Sequence, residues 1–288
     1  KENEVVFVHS FLYWSTLVAR LACGKKTAHI FKLTTVMTQH VYTNKWYSGY
    51  TKLLDHLTYK KNQIVVSPTI EVLADFDHAI GVKGRSQIIY NFVGDEFYKN
   101  QIEYKKTPGR LKLVAVGNIK EVKNYQVIID AFMLLPGLPI SIDIYGSGDF
   151  KESQQSQIRD NKLAIHRMGA TNRIYEVLPK YDAFIMCSLV EGFGISAAEA
   201  MAIGLPLLLS DIKVFKEVSD GNAFFFNPSN AQQLADVITS VFNNKFNLQT
   251  FSEKGKALAK EKYTKQKYIN DLLELYNDVN IKQNHLFS

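Results

Sequence analysis

The 288-residue chain is long enough for two domains of ordinary size, and its 46% hydrophobic and 22% charged residues are those of a globular protein, which excludes a disordered one. A formal net charge of +6, from 34 basic and 28 acidic residues, suits an anionic substrate, an anionic membrane surface or nucleic acid. The basic residues are scattered, with no zinc-ligand spacing, RNP-like aromatic string or helix-turn-helix, so nucleic acid is not an expected partner.

Taken in chain order, residues 4–9 read as a buried strand, Ser10 as a helix cap, and residues 11–22 as a helix stopped by Gly24. Residues 27–38 are rich in β-branched side chains and read as a second strand ending at Gln39 and His40. That order implies a parallel unit with a right-handed crossover. Residues 41–50 are polar and aromatic, with Trp46, Tyr47 and Tyr50, and read as a loop. A helix follows over 51–59 and a strand over 63–67, after which Ser67 and Pro68 read as the cap and first position of a helix over 70–76. Residues 87–91 are the next strand. Residues 103–110, charged and carrying Pro108-Gly109, read as a linker.

The second half alternates more regularly. Strands are expected over 111–117, 140–145, 163–168, 183–188, 206–210 and 223–226, with helices between them. Gly146-Ser-Gly148 follows one of these strands, which alone is weak evidence for anything beyond a turn. Residues 230–242 form an amphipathic helix, and two more helices cover 251–263 and 266–279, the last with a stripe of Ile269, Leu272, Leu273 and Tyr276. No apolar run approaches the roughly 18 residues of a membrane span and no secretory signal opens the chain. Cys23 and Cys187 read as buried free thiols, as in a reducing cytoplasm.

The most informative stretch is Glu191-Gly-Phe-Gly-Ile-Ser-Ala-Ala-Glu199, continued by Ala-Met-Ala-Ile-Gly-Leu-Pro206. A glycine turn opens onto a helix from about Ser196, closed by Gly204 with Pro206 beyond. Such a turn presents unpaired amides at the carboxyl end of a sheet, where hydrogen bonds and helix dipole both favour a phosphate. The carboxylates of Glu191 and Glu199 are pure acceptors, suited to vicinal hydroxyls of a sugar or ribose. Ser196-Ala-Ala-Glu199 is also a capping box, and that reading needs no ligand at all.

The whole string resembles the E-x7-E signature of retaining glycosyltransferases of family 4. That resemblance implies the GT-B fold, an α/β architecture of two Rossmann-like domains facing a cleft. Residues 1–107 would be a partial amino-terminal acceptor-side domain, reduced or truncated; residues 108–262 the carboxy-terminal nucleotide-sugar domain; and residues 263–288 a helix crossing back to the first. It also implies roles: Glu191 beside the donor sugar's hydroxyls, Glu199 on the nucleotide ribose, and the backbone of Gly192, Phe193, Gly194, Ile195 and Ser196 facing the diphosphate and sugar. Other passages match in their places. His9-Ser10 and Thr38-Gln-His40 resemble the family's amino-terminal pattern, with His40 contacting donor or acceptor. Residues 91–97 resemble the passage that closes that domain. Gly117, Asn118 and Lys123 resemble the diphosphate loop, in which Lys123 takes the Lys position while Asn118 stands where the family has Arg. Gly146 lies in the family's G-x-G, and residues 169–172 in the loop beside the nucleobase. Losing the Arg removes a bidentate fork that Lys120 could replace only as a point charge.

The expectation from this sequence is a retaining glycosyltransferase moving a sugar from a nucleotide-diphosphate donor, a UDP-sugar first, to a glycan or lipid-linked acceptor in cell-envelope polysaccharide synthesis. Glu191, His40 and Lys123 are the candidate catalytic residues. No metal is expected. The location would be cytoplasmic, with peripheral association at the inner face of the membrane. Three alternatives stand beside it: a non-catalytic nucleotide-sugar-binding subunit, a dinucleotide dehydrogenase, and an epimerase sharing the fold. The dehydrogenase would need a full G-x-G-x-x-G, and position 151 is Lys.

Overall fold

Strands joined by helices pair in parallel, and every strand pair among the described residues does so. The computed structural model describes residues 7–24, 27–40 and 45–287, with side chains for all of these except 39–40, 45–48 and 280–287. Two compact units are present, one comprising Lys1–Phe92, Glu191–Phe193 and Lys265–Ser288, the other Val93–Val190 and Gly194–Thr264.

The first unit begins with β1 (Phe7–Phe11), α1 (Tyr13–Ala22), β2 (Ala28–Lys32), α2 (Met37–His40), α3 (Lys45–Thr58), β3 (Gln63–Ser67), α4 (Ile70–Ile80) and β4 (Ser86–Ile88). The second holds α5 (Asp95–Lys99), β5 (Leu111–Val116), α6 (Tyr125–Met133), β6 (Ile140–Tyr145), α7 (Glu152–Asp160), β7 (Ile165–Gly169), α8 (Ile174–Val177) and β8 (Ala183–Met186). It continues with α9 (Ile195–Ile203), β9 (Leu207–Ser210), α10 (Lys213–Ser219), β10 (Phe224–Phe226), α11 (Ala231–Phe242) and α12 (Leu248–Lys262), before α13 (Lys265–Phe287) rejoins the first unit.

In the first unit the sheet runs β1-β2-β3-β4. Helix α13 covers one face of it, Leu275 and Val279 packing with Ile30, Val66 and Ile89. Its buried stripe is therefore Tyr268, Leu272, Leu275, Tyr276 and Val279, whereas Ile269 and Leu273 are exposed. On the other face Arg20 and Asp55 form a buried ion pair, with the Arg20 guanidinium over the rings of Phe31 (4.3 Å) and Tyr59 (5.2 Å). Removing one partner of a buried pair strands a charge. Asp55→Ala is expected to cost about 3–5 kcal/mol, read from the urea unfolding midpoint.

Several local expectations fail in this unit. Ser10, expected to cap the first helix, lies inside β1, and Leu12 stands at the N-cap of α1. The strand predicted over 27–38 stops at Lys32, because the Thr38 amide donates to Asp75 of α4 (3.0 Å), as does its hydroxyl, and that contact outweighs β-branched propensity. His40 therefore ends a short helix, not a strand, and its side chain lies outside the described residues. The loop predicted over 41–50 is helix from Lys45 onward; residues 41–44 and the side chains of Trp46 and Tyr47 lie outside the described residues. Helix α3 turns Thr51, Asp55 and Thr58 inward and leaves Tyr50, Leu53 and Leu57 exposed, an inversion of the usual pattern. Finally, α4 is capped by Thr69, whose side chain accepts from the Val72 amide (3.3 Å), and not by Ser67.

The second unit's sheet runs β10-β9-β8-β5-β6-β7. Chain order thus moves outward from β5 through β6 and β7, then restarts on the other side through β8, β9 and β10, which places a topological switch point between β5 and β8. Strands β8 and β9 are buried at every position, as their unbroken apolar runs require. The boundary expected at residue 107 falls earlier, at Val93. Residues 98–102 already pack on this unit: the Tyr98 hydroxyl, the Gln101 side chain and the Ile102 amide donate to the carbonyls of Ala259 (3.0 Å), Ala202 (2.9 Å) and Ile203 (2.9 Å).

Candidate functional site

Loops at the carboxyl ends of strands flanking a switch point converge on one crevice, and in the second unit these are the loops after β5 and β8. After β5, Gly117 donates its amide to the Tyr145 carbonyl (2.8 Å), while its own carbonyl accepts from the Tyr125 hydroxyl (2.8 Å). The Lys123 stem lies over Gly117, its Cε 3.3 Å from where a Cβ would stand. Asn118 accepts at Oδ1 from the Ser147 amide (3.1 Å), and Ile119 donates to the Ser147 carbonyl (2.8 Å). The residue in the family's Arg position is therefore a clamp between two loops.

Gly146 is where those loops touch. Its φ is +156°, and a Cβ would stand 2.1 Å from the Gly117 carbonyl oxygen. Its amide donates to the Gly169 carbonyl (2.9 Å), tying the β7 loop to the same cluster. Gly146→Ala is expected to destabilise by roughly 1–3 kcal/mol as the loops are forced apart, seen as a lowered Tm.

After β8, helix α9 starts at Ile195 with Gly194 as its N-cap in the left-handed region, φ 77°. Gly194 offers no side chain, so the amides of Ile195 and Ser196 have no acceptor among the described residues and define an anion-favouring helix start. Ser196 sits inside the helix and donates its hydroxyl to the Val116 carbonyl (3.1 Å), fastening α9 to the end of β5. It is not a cap, so Glu199 is not the second half of a capping box. The Glu199 carboxyl receives no hydrogen bond among the described residues. Burial, and then the charge of Glu96, push its pKa up to about 7. Glu96 lies within the 91–97 passage, yet no spacing in the sequence ties it to Glu199. Tyr125, which holds the Gly117 carbonyl, carries no sequence signal either.

Glu191, Gly192 and Phe193 group with the first unit. Gly192 accepts at its carbonyl from the Thr69 hydroxyl (3.1 Å), and a Cβ there would lie 2.3 Å from the Thr34 carbonyl oxygen. Phe193 is buried with its ring 6.3 Å from that of Tyr90. This part of the turn is thus fixed at the carboxyl edge of the first sheet. His9, the other histidine considered from the sequence, bonds through Nδ1 to the Tyr276 hydroxyl (2.7 Å). Burial and the nearby Lys32 charge lower its pKa to about 4, so it is neutral at physiological pH. Among the described residues no group of three or more His, Cys, Asp or Glu could hold a metal ion, and no helix is long and apolar enough to cross a membrane.

Comparison with known proteins agrees with this architecture. The O-antigen biosynthesis glycosyltransferase WclY of Escherichia coli is 24% identical over 203 residues, covering 68% of this chain and 56% of that protein. The poly(glycerol-phosphate) alpha-glucosyltransferase of Bacillus subtilis strain 168 is 30% identical over 169 residues, covering 56% of this chain and 25% of that protein. The chain thus spans about half the length of the first relative and a quarter of the second. Among solved structures, Anabaena Alr3699/HepE in complex with UDP and glucose superposes with a TM-score of 0.80 at 17% identity, over 94% of this chain and 77% of that one. The chain has the α/β fold of GT-B glycosyltransferases, with parallel sheets in both units. The sequence model of the family "Glycosyl transferases group 1" matches residues 97–258, more than half of the chain, which therefore belongs to that family.

Proposed function

We propose that the protein transfers a sugar from a nucleotide-diphosphate donor to a glycan or lipid-linked acceptor, with retention of the anomeric configuration. The observation that carries this reading is the meeting of the Gly117–Lys123 loop, Gly146 and the uncapped start of α9 at the β5/β8 switch point. There the Ile195 and Ser196 amides and Lys123 would hold the diphosphate, and Glu199 would accept from the ribose hydroxyls. Glu191 would orient the sugar through its hydroxyls, and His40 would contact donor or acceptor.

In the reaction the bond between the sugar's anomeric carbon and the diphosphate oxygen breaks while a bond to the acceptor hydroxyl forms. The acceptor's proton passes to the departing diphosphate. The protein's contribution is placement, together with positive charge and amide dipoles where negative charge develops on the leaving group. No metal is required in this scheme. A UDP-sugar is the expected donor, supported by a structural neighbour solved with UDP and glucose. Relatives named for O-antigen and poly(glycerol-phosphate) glycosylation support a cell-envelope acceptor. The proposal sets the reaction in the cytoplasm, with the protein peripheral to the membrane.

Donor hydrolysis, measured with and without glycan acceptors, tests the proposal. Turnover that rises with an acceptor and yields the donor's own anomer by proton NMR supports it. Saturable donor binding without turnover under any acceptor would favour a non-catalytic subunit instead, a reading that Asn118 in the Arg position keeps open.

A further inference from the structure

Lys32 is the last residue of β2 and keeps only 8% of its surface exposed. Its ammonium donates to Asn91 Oδ1 (2.8 Å) and to the Tyr268 hydroxyl (3.4 Å), and lies 4.8 Å from the centre of the Tyr268 ring. No carboxylate pairs with it among the described residues. Burial lowers its pKa to about 8 with no acidic neighbour to offset the loss of water. The groups facing it are neutral near pH 7: His9 from β1 and Tyr268 and Tyr276 from α13. A buried cation without a counter-ion is costly, and such a group at the carboxyl end of a parallel strand is a candidate for function.

Its surroundings contain unused polar atoms. The Asn91 side-chain amide accepts from Lys32 through oxygen, which leaves its Nδ2 hydrogens without an acceptor among the described residues, and His9 Nε2 is buried with no partner. The site also lies at the edge that carries the Glu191 turn. Tyr90, next to Asn91, packs on Phe193, and Thr34, two residues beyond Lys32, lies against Gly192. We propose that Lys32 and Asn91 bind a phosphate-class oxyanion carried by the acceptor, so that the acceptor is an anionic, phosphate-bearing glycan or polyol. This identifies the acceptor class and rests on the glycosyltransferase reading above.

The probe is sn-glycerol 3-phosphate, titrated by calorimetry with saturating UDP present to fill the diphosphate subsite of the second unit. Wild-type protein is expected to bind it and not glycerol, with affinity held between about pH 7 and 8, where the phosphate is a dianion, and falling above as Lys32 loses its proton. Lys32→Met is expected to lower that affinity at least about tenfold while UDP affinity is unchanged. That variant removes an uncompensated buried charge, so its Tm should not fall, which separates lost binding from lost folding. Equal affinity in Lys32→Met, equal binding of glycerol, or no binding to the wild type would each overturn the proposal. Failure of UDP to bind while glycerol 3-phosphate still does would strike the donor reading alone.

Discussion

Lys123→Met is expected to lower kcat for sugar transfer by about 10²- to 10³-fold, the usual effect of removing one group that stabilises developing charge. The Lys123 stem is held over Gly117, in the loop whose geometry is set by the Tyr125 hydroxyl and the Gly146 contact. Asn118 cannot share this role, because it is uncharged and its side-chain oxygen is committed to the Ser147 amide. On the proposed reading, charge stabilisation that the family resemblance divides between an Arg fork and a Lys would fall on Lys123 and the α9 amides. The check is a steady-state comparison of kcat and KM. A rise in KM with kcat unchanged would mean that Lys123 contributes only uniform binding, and the leaving-group role assigned to it would be withdrawn.

The second large effect is expected at Glu199. Glu199→Gln should weaken UDP binding about 10- to 100-fold, since charge-assisted hydrogen bonds are worth about 1.5–3 kcal/mol. Because its pKa is raised to about 7, the carboxyl is neutral below that value and ionised above it. Ribose hydroxyls donate better to the ionised form, so wild-type UDP affinity should climb as pH rises through 7, and the Gln variant should lose that slope. Stability moves the other way. The folded state holds the Glu199 proton up to about pH 7. The unfolded chain gives it up nearer 4.5. Glu199 therefore costs stability progressively as pH rises between these values. Glu199→Gln should thus raise the Tm above pH 7 and change it little below 4.5. Opposite movements of affinity and Tm in one variant distinguish a ligand-binding carboxylate from a structural one.

How much was legible in the sequence follows from what kind of signal each element carries. The second unit reads almost directly, because β8 and β9 are buried on both faces and show as unbroken apolar runs, while Gly204 and Pro206 mark the stop of α9 without ambiguity. The first unit reads less well. In α3 the inward positions are Thr51, Asp55 and Thr58, held by an ion pair and hydrogen bonds, so an apolar periodicity points to the wrong face. In α13 neighbouring apolar residues at 272, 273, 275 and 276 allow more than one stripe, and only packing against Ile30 and Val66 selects Leu275 over Leu273. Within the candidate site, the ligand-free reading of Ser196 and Glu199 as a capping box fails, since a serine three residues before a glutamate looks like a cap whether or not a left-handed glycine precedes it. Lys32, Glu96 and Tyr125 had no motif to announce them, for their roles arise from contacts between segments far apart in sequence.

Calorimetric titration of UDP, GDP and ADP into wild type and a Lys123→Met, Glu199→Gln double variant asks most plainly whether the β5/β8 switch point binds the donor's nucleotide diphosphate. One saturable site that prefers one base and weakens at least about 100-fold in the double variant is the predicted result. A folded double variant that binds as tightly as wild type, or a wild type that binds none of the three, would contradict it.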